Sequence, residues 1–542
     1  MIFKRSIFVI IMIIVTVLSA CNNEKVDVNN NKNNENEENY TINVAKTDLP
    51  IVEDKITLEV FAGMGVQYTN DLKDVRGYEK FEEITNVEID WKQISNDSID
   101  EKRNLALSGG NLPDVFYASA IPKLDILKYG QQGTLIKLNS LIDEYAPNLT
   151  ALMEENPEIR QAITLPDGNI YTLPYLSSPD SQSVRTYPIL YFNQNVLDEL
   201  GISKPETTDE FYKYLTTVKE KSISDQNGSE VVPYGSPQID DLIGWLEGSF
   251  GVGNRGRPFI DKEPDSEEVR FYPIDDDYKE LLEYMHKLYD EGLIAQNIFS
   301  IEKDQFVANA AEGGYGSTVF YDPGIVIHEK VADVYTGGIP LRGPNGKQSK
   351  VLGHTVSDIG AFAITDENEH PEATMRWVDH FYSDEGAKLL FLGVEGESYH
   401  ETEDGEIELA NEIANPPEGR TQDQELAEHA GYLPTSGTPG ILKEEYFKGA
   451  ETTPDALKAV EEMEEYLEDN AWPDFTYTED ESKILSSSGN DIEKYVNEMR
   501  DKFISGDASF DEWDDYVQRV KDMGLDDYLN IQQEAYERYK DN

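Results

Sequence analysis

The sequence predicts an α/β protein built as two lobes that the chain visits alternately. Three observations carry that expectation. Between residues 57 and 118 the order is strand, helix, strand, helix, strand, the signature of α/β layers. Apolar strand-like stretches return at 189–193 (ILYFN) and 359–365 (IGAFAIT), each followed by helical sequence. The roughly 490 residues after the N-terminal polar stretch exceed what one ordinary core holds, and no internal repeat divides them.

The elements follow in order. Residues 57–61 (TLEVF) form a first strand, with a glycine-containing loop, FAGMGVQYTND, after it. Residues 78–85 are helical and 87–94 alternate as a second strand. A helix over 100–107 stops at Ser108-Gly109-Gly110, where glycine provides a C-terminal cap. Residues 114–118 (DVFYA) are a third strand, and 166–176 (PDGNIYTLPYL) read as a turn between two short strands. The strand at 189–193 runs into a helix over 194–200. A second helix, 208–221, starts after Thr207, a hydroxyl side chain suited to capping the first free N–H groups. Further helices are expected at 240–250, 278–291, 371–382 and 384–391, with a hairpin about Asp404-Gly405. The last 60 residues are amphipathic helix with Trp513, Tyr516, Val520, Met523 and Tyr528 on buried faces. Lobe crossings are expected near 189–193, near 359–365 and about 431–437.

The N-terminus carries a separate message. Lys4 and Arg5 precede a run of Ile, Val, Phe, Met and Leu over 7–18 that is too short to span a bilayer as a resident helix. A basic head, a short apolar core and small residues at its end describe an export signal. Leu18-Ser19-Ala20-Cys21 resembles a bacterial lipobox, which implies that Cys21 is lipidated and becomes the mature N-terminus. Cys21 is also the only cysteine of the chain, so no internal disulfide explains it. Acyl chains at about 0.8 kcal/mol per buried methylene would hold the protein to the membrane. The stretch to residue 50 contains NNNKNNENEEN and has too few apolar side chains to offset the entropy of ordering, so it reads as a disordered tether. With 46 basic against 106 acidic residues, a net charge of −60 excludes nucleic acid as a partner by repulsion.

Several segments resemble the extracellular solute-binding protein family 1, in its long lipoprotein branch: KRNLALSGGNLPDVF, YGQQGTLIKLNSLIDEYAPNL, LPDGNIYTLP, YFNQNVLDELGISKPETTDEFY, GVEGESYHETEDGEIEL and LDDYLNIQQEAYERY. The resemblance covers the chain from about 57 to 542. It implies a periplasmic-binding-protein-like fold of two α/β lobes joined by a hinge, with the ligand in the cleft between them. It also implies a monomeric oligosaccharide-binding component of an ABC importer, with the permease subunits as partners, on the outer face of the cytoplasmic membrane. The domain boundaries that follow are 1–20 signal peptide, 21–50 lipidated N-terminus and tether, 51–188 with 360–430 as the first lobe, and 189–359 with 431–542 as the second. A surface glycan-processing enzyme, or a ligand-binding input to a membrane sensor, is the alternative.

Sugar capture needs aromatic faces for the C–H faces of sugar rings and convergent polar groups for hydroxyls. Candidates at strand ends and crossings are Gln67, Tyr68 and Asn70 after the first strand, Tyr117 after the third, Tyr175 and Arg185 before the first crossing, and Trp245, Tyr321 and Asp322 in the second lobe. Trp377 and Trp513 lie on apolar helical stripes and read as core, while Trp472 in a loop reads either way. Some members of the family carry a calcium loop. The matching place here holds Asp225, Asn227 and Glu230, oxygen donors of the kind calcium takes, in a loop that also reads as a plain polar turn. Gly251-Val252-Gly253-Asn254-Arg255-Gly256 fits a dinucleotide fingerprint only on paper, since it follows a helix rather than a strand.

Overall fold

The computed structural model describes residues 44–225, 227–321, 334–435 and 437–542. Cys21, the signal segment, the tether up to residue 43 and Asp322 lie outside the described residues. Among the described residues ten strands build the two main sheets: β1 (Ile56–Met64), β2 (Val87–Ser95), β3 (Val115–Tyr117), β4 (Thr172–Ser177), β5 (Ile189–Asn193), β6 (Val232–Tyr234), β7 (Tyr315–Phe320), β8 (Tyr335–Gly337), β9 (Val356–Ile364) and β10 (Gly440–Leu442). The first sheet has the order β10-β4-β9-β3-β1-β2 and the second β8-β5-β7-β6.

In the first sheet β1 runs parallel to β2 and β3, with the helices Arg76–Thr85 and Ile99–Gly109 as connections. β3 and β5 read as unbroken apolar runs because both of their faces are covered. β9 enters from the second lobe and lies antiparallel to both β3 and β4. Behind the first sheet stands an aromatic cluster in which Tyr117 meets Trp91 at 5.6 Å and Trp377 at 5.9 Å between ring centres. In the second lobe Thr207 caps the helix Thr208–Lys221 by accepting the Glu210 N–H at 3.1 Å. The C-terminal helices Asn490–Ser505, Trp513–Asp522 and Leu525–Asp541 complete this core, where Phe503, Trp513, Tyr516 and Tyr528 join Leu281 and Met285.

Four expectations need correction. The third crossing falls after Leu442 rather than at 431–437, because Gly440–Leu442 is a buried apolar trio that pairs in parallel with the free edge of β4. The second crossing precedes Val356, since all of β9 lies in the first sheet. The end of the expected tether is docked rather than loose. Ala45 N–H donates to Ile51 O at 2.9 Å, the Arg376 guanidinium donates to the carbonyls of Ala45 and Thr47, and Ile51 and Val52 are buried. The stretch before Thr172 is also not a strand, because the Ile170 N–H is taken by the Asn139 side chain at 3.0 Å. The hairpin about Asp404-Gly405 forms as expected, from Tyr399–Glu401 and Ile407–Leu409.

Candidate functional site

The strands that carry the chain out of each sheet place a set of tyrosines between the lobes. From the first lobe come Tyr68, on the loop after β1, Tyr175 in β4, and Tyr432 in the short helix Tyr432–Thr435. Tyr187 precedes β5, and Tyr321 follows β7, in the second lobe. The Tyr175 and Tyr432 rings lie 5.9 Å apart, and Tyr175 donates to the Tyr432 hydroxyl at 3.4 Å. Tyr187 and Tyr321 stack 11° from parallel at 5.8 Å. All five keep part of their surface in solvent, and Tyr321 is 41% exposed.

Three carboxylates accompany the rings. Burial, then Asp423, pushes the Tyr68 hydroxyl up to about 12. Burial raises the Tyr321 hydroxyl, with Glu451 and then Asp241 adding to it. Tyr432 is raised by burial and feels Glu451, Tyr321 and Asp423 together, so groups from both lobes face one space. Burial raises the carboxyls of Asp423 and Glu451 and pushes that of Asp241 up to about 6. Asp241 accepts hydrogen bonds from Gln238, the side-chain one at 3.0 Å. Among the described residues none of the three forms an ion pair, so the space is acidic.

Two recesses adjoin this run. One, of about 610 Å³, is lined by Gln67, Tyr68 and Asn70 together with Gln424 and His429. The other, of about 540 Å³, reaches from Tyr187 into the second lobe. Gln67, Tyr68 and Asn70 are thus brought together, and Tyr175 and Tyr321 join Tyr68 through Tyr432.

Other candidates are placed elsewhere. Tyr117 is fully buried, its hydroxyl 2.9 Å from that of Tyr78, so it belongs to the first core. Trp245 is 1% exposed within the second core, where its helix Ile239–Phe250 is apolar around most of its girth. Arg185 is buried and held by four hydrogen bonds. Its Nε donates to Gly353 O at 2.8 Å, Nη1 to Pro179 O at 2.8 Å, and its Nη1 and Nη2 to Asp469. It therefore clasps the chain segments that join the lobes, with four of its five N–H donors engaged. Trp472 is core as well, packed on Phe475 and Tyr536. Tyr187, Tyr432, Asp241, Asp423 and Glu451 were not singled out from sequence. The one available signal was position, since Tyr187 and Tyr432 fall at or beside expected crossings.

The residues at the calcium-loop position do not fit a calcium cage. Asp225 Oδ1 accepts the N–H groups of Asn227 and Ser229, each at 2.8 Å, which closes the loop as a polar turn. Glu230 is exposed, and among the described residues no cluster of three or more His, Cys, Asp or Glu side chains could hold a metal. A chelator should therefore leave the melting temperature unchanged in a thermal-unfolding scan. A bound cation at a hundred times its dissociation constant would contribute about 2.7 kcal/mol, and its removal would show as a clear fall.

A model of the bacterial extracellular solute-binding protein family matches residues 71–388. The fructooligosaccharide ABC transporter substrate-binding protein FusA of Streptococcus pneumoniae serotype 4 (strain ATCC BAA-334 / TIGR4) is 25% identical over 508 residues, 91% of this chain and 92% of the relative. The polygalacturonan/rhamnogalacturonan-binding protein YtcQ of Bacillus subtilis (strain 168) is 23% identical, over 88% of this chain and 91% of its own. The solved structure of an EF-hand mutant of the S. pneumoniae FusA in complex with fructo-nystose superimposes with a TM-score of 0.72 at 23% identity, covering 90% of this chain and all of that one. Among the described residues no helix is long and apolar enough to cross a membrane.

Proposed function

Because the chain belongs to the bacterial extracellular solute-binding protein family, we propose that it captures a neutral oligosaccharide between its lobes and delivers it to the permease of an ABC importer. The observation that carries this reading is the run of five partly exposed tyrosines, contributed by both lobes and flanked by carboxylates that form no ion pair among the described residues. Tyrosine rings offer flat apolar faces to sugar C–H groups, and carboxylates accept hydrogen bonds from sugar hydroxyls. A run that continues into a recess at each end suits a chain of sugar units better than a single one.

The charge of the cleft selects among sugars. A uronate placed about 6 Å from one of these carboxylates, at an effective dielectric of about 20, would be repelled by about 3 kcal/mol. The acidic cleft therefore favours the chemistry named for FusA, a fructooligosaccharide, over the acidic polysaccharide named for YtcQ. Closure follows as a population shift, because a sugar touching both lobes stabilises the closed arrangement. Anchoring through a lipidated Cys21 would hold the protein beside the permease on the outer face of the membrane.

The test is a thermal-shift titration with fructooligosaccharides, raffinose and oligogalacturonides, with the sugar analysed afterwards. A rise in melting temperature with a neutral sugar that is recovered intact supports the reading. A response confined to the galacturonides, or conversion of the sugar, overturns it.

A further inference from the structure

We infer that the second-lobe cavity is the subsite for a terminal unit of the sugar, with Lys350, Asn497 and Glu247 taking its hydroxyls. This rests on the oligosaccharide reading and adds the subsite to it. The cavity, about 540 Å³, falls within the range of small-molecule sites. Tyr187 is part of its wall and stacks on Tyr321, so cavity and tyrosine run share a side.

The three arginines of the wall are ion-paired, although Arg257 Nε is buried without a partner among the described residues. Arg185 is held by Asp469, Arg257 by Asp474, and Arg500 by Asp240 and Asp501. Lys350 is different. Its ammonium stands 5.6 Å from the centre of the Trp245 ring and makes no ion pair or hydrogen bond among the described residues. Burial lowers its pKa, against the opposing pull of Glu247. It thus brings three N–H donors into the cavity with no acceptor among the described residues.

Glu247 accepts one hydrogen bond on Oε1, from the Tyr272 hydroxyl at 2.9 Å, which leaves Oε2 open to a ligand O–H. The Asn497 carboxamide, half-buried on the helix Asn490–Ser505, has no partner among the described residues and can both donate and accept. The apolar side is Phe259, whose backbone is held at φ 66° with its N–H on the Tyr272 hydroxyl at 3.2 Å. Such a conformation persists in a bulky residue only when the surroundings fix it. A donor, an acceptor, a group that is both, and an aromatic face form the set that reads a sugar ring.

Calorimetric titration of wild type, Lys350→Met and Asn497→Ala with kestose, raffinose and maltotriose tests the assignment. Affinity for the preferred sugar should fall about tenfold or more in each variant, the loss expected for one hydrogen bond involving a charged or buried group. The unliganded melting temperature should stay at the wild-type value, and the sugar should protect Lys350 from reductive methylation in the wild type. Variants that bind as wild type does, or a Lys350 equally reactive with and without sugar, would overturn the subsite while leaving capture between the lobes intact. A wild type that binds none of the three sugars would overturn the oligosaccharide reading, and the subsite with it.

Discussion

Replacing Arg185 by alanine should lower stability by about 3 kcal/mol or more and leave a folded remainder that still binds sugar. The side chain is 3% exposed and bonded to three places far apart in sequence, Pro179, Gly353 and Asp469. Each hydrogen bond to a charged donor is worth about 1.5–3 kcal/mol, and the two carbonyls would lose theirs in a buried setting. Asp469 is 58% exposed and regains water, so its share is small. Lysine should not rescue, because one ammonium cannot reproduce the planar fork that reaches both carbonyls and the carboxylate. Denaturant unfolding of Arg185→Ala and Arg185→Lys checks this. Loss of sugar affinity at unchanged stability would instead place Arg185 at the ligand.

Tyr321→Ala should weaken sugar binding by about 30- to 100-fold, the result of losing about 2–3 kcal/mol of ring burial against the ligand. Its exposure of 41% predicts that the free protein loses less than about 0.5 kcal/mol. Tyr432→Ala should show a similar loss of affinity from the opposite lobe. There the ring also packs on Phe391 and Phe447, so part of the cost appears as stability. Tyr432→Phe keeps the ring and should retain most of the binding. Calorimetric titration alongside thermal unfolding separates the two contributions, and wild-type affinity in Tyr321→Ala would remove it from the site.

What could be read in the sequence depended on how local its cause was. The Thr207 cap, the hairpin about Asp404-Gly405 and the buried strand 115–117 each follow from a few adjacent residues, and all three form. The alternation of lobes was legible from the order of the elements. The position of the third crossing was not, because β10 is only three residues long and is recruited by the distant edge of β4. Tyr117 and Tyr175 are both tyrosines of short buried strands, yet one points into a cluster of rings and the other toward Tyr432. That difference is set by neighbours distant in sequence, Trp377 for Tyr117 and, 257 residues away, Tyr432 for Tyr175. Arg185 resembled a ligand group for the same reason, since its acceptors lie 168 and 284 residues further on. Asp225, read as a metal donor, is occupied by amides two and four residues along, a choice between turn and cation that composition leaves open.

The most direct test of capture between the lobes is a crystal structure with a neutral trisaccharide such as kestose. The account predicts sugar rings lying on Tyr187, Tyr321 and Tyr432 within reach of Asp241, Asp423 or Glu451. Sugar bound on an outer face with these tyrosines untouched would contradict it.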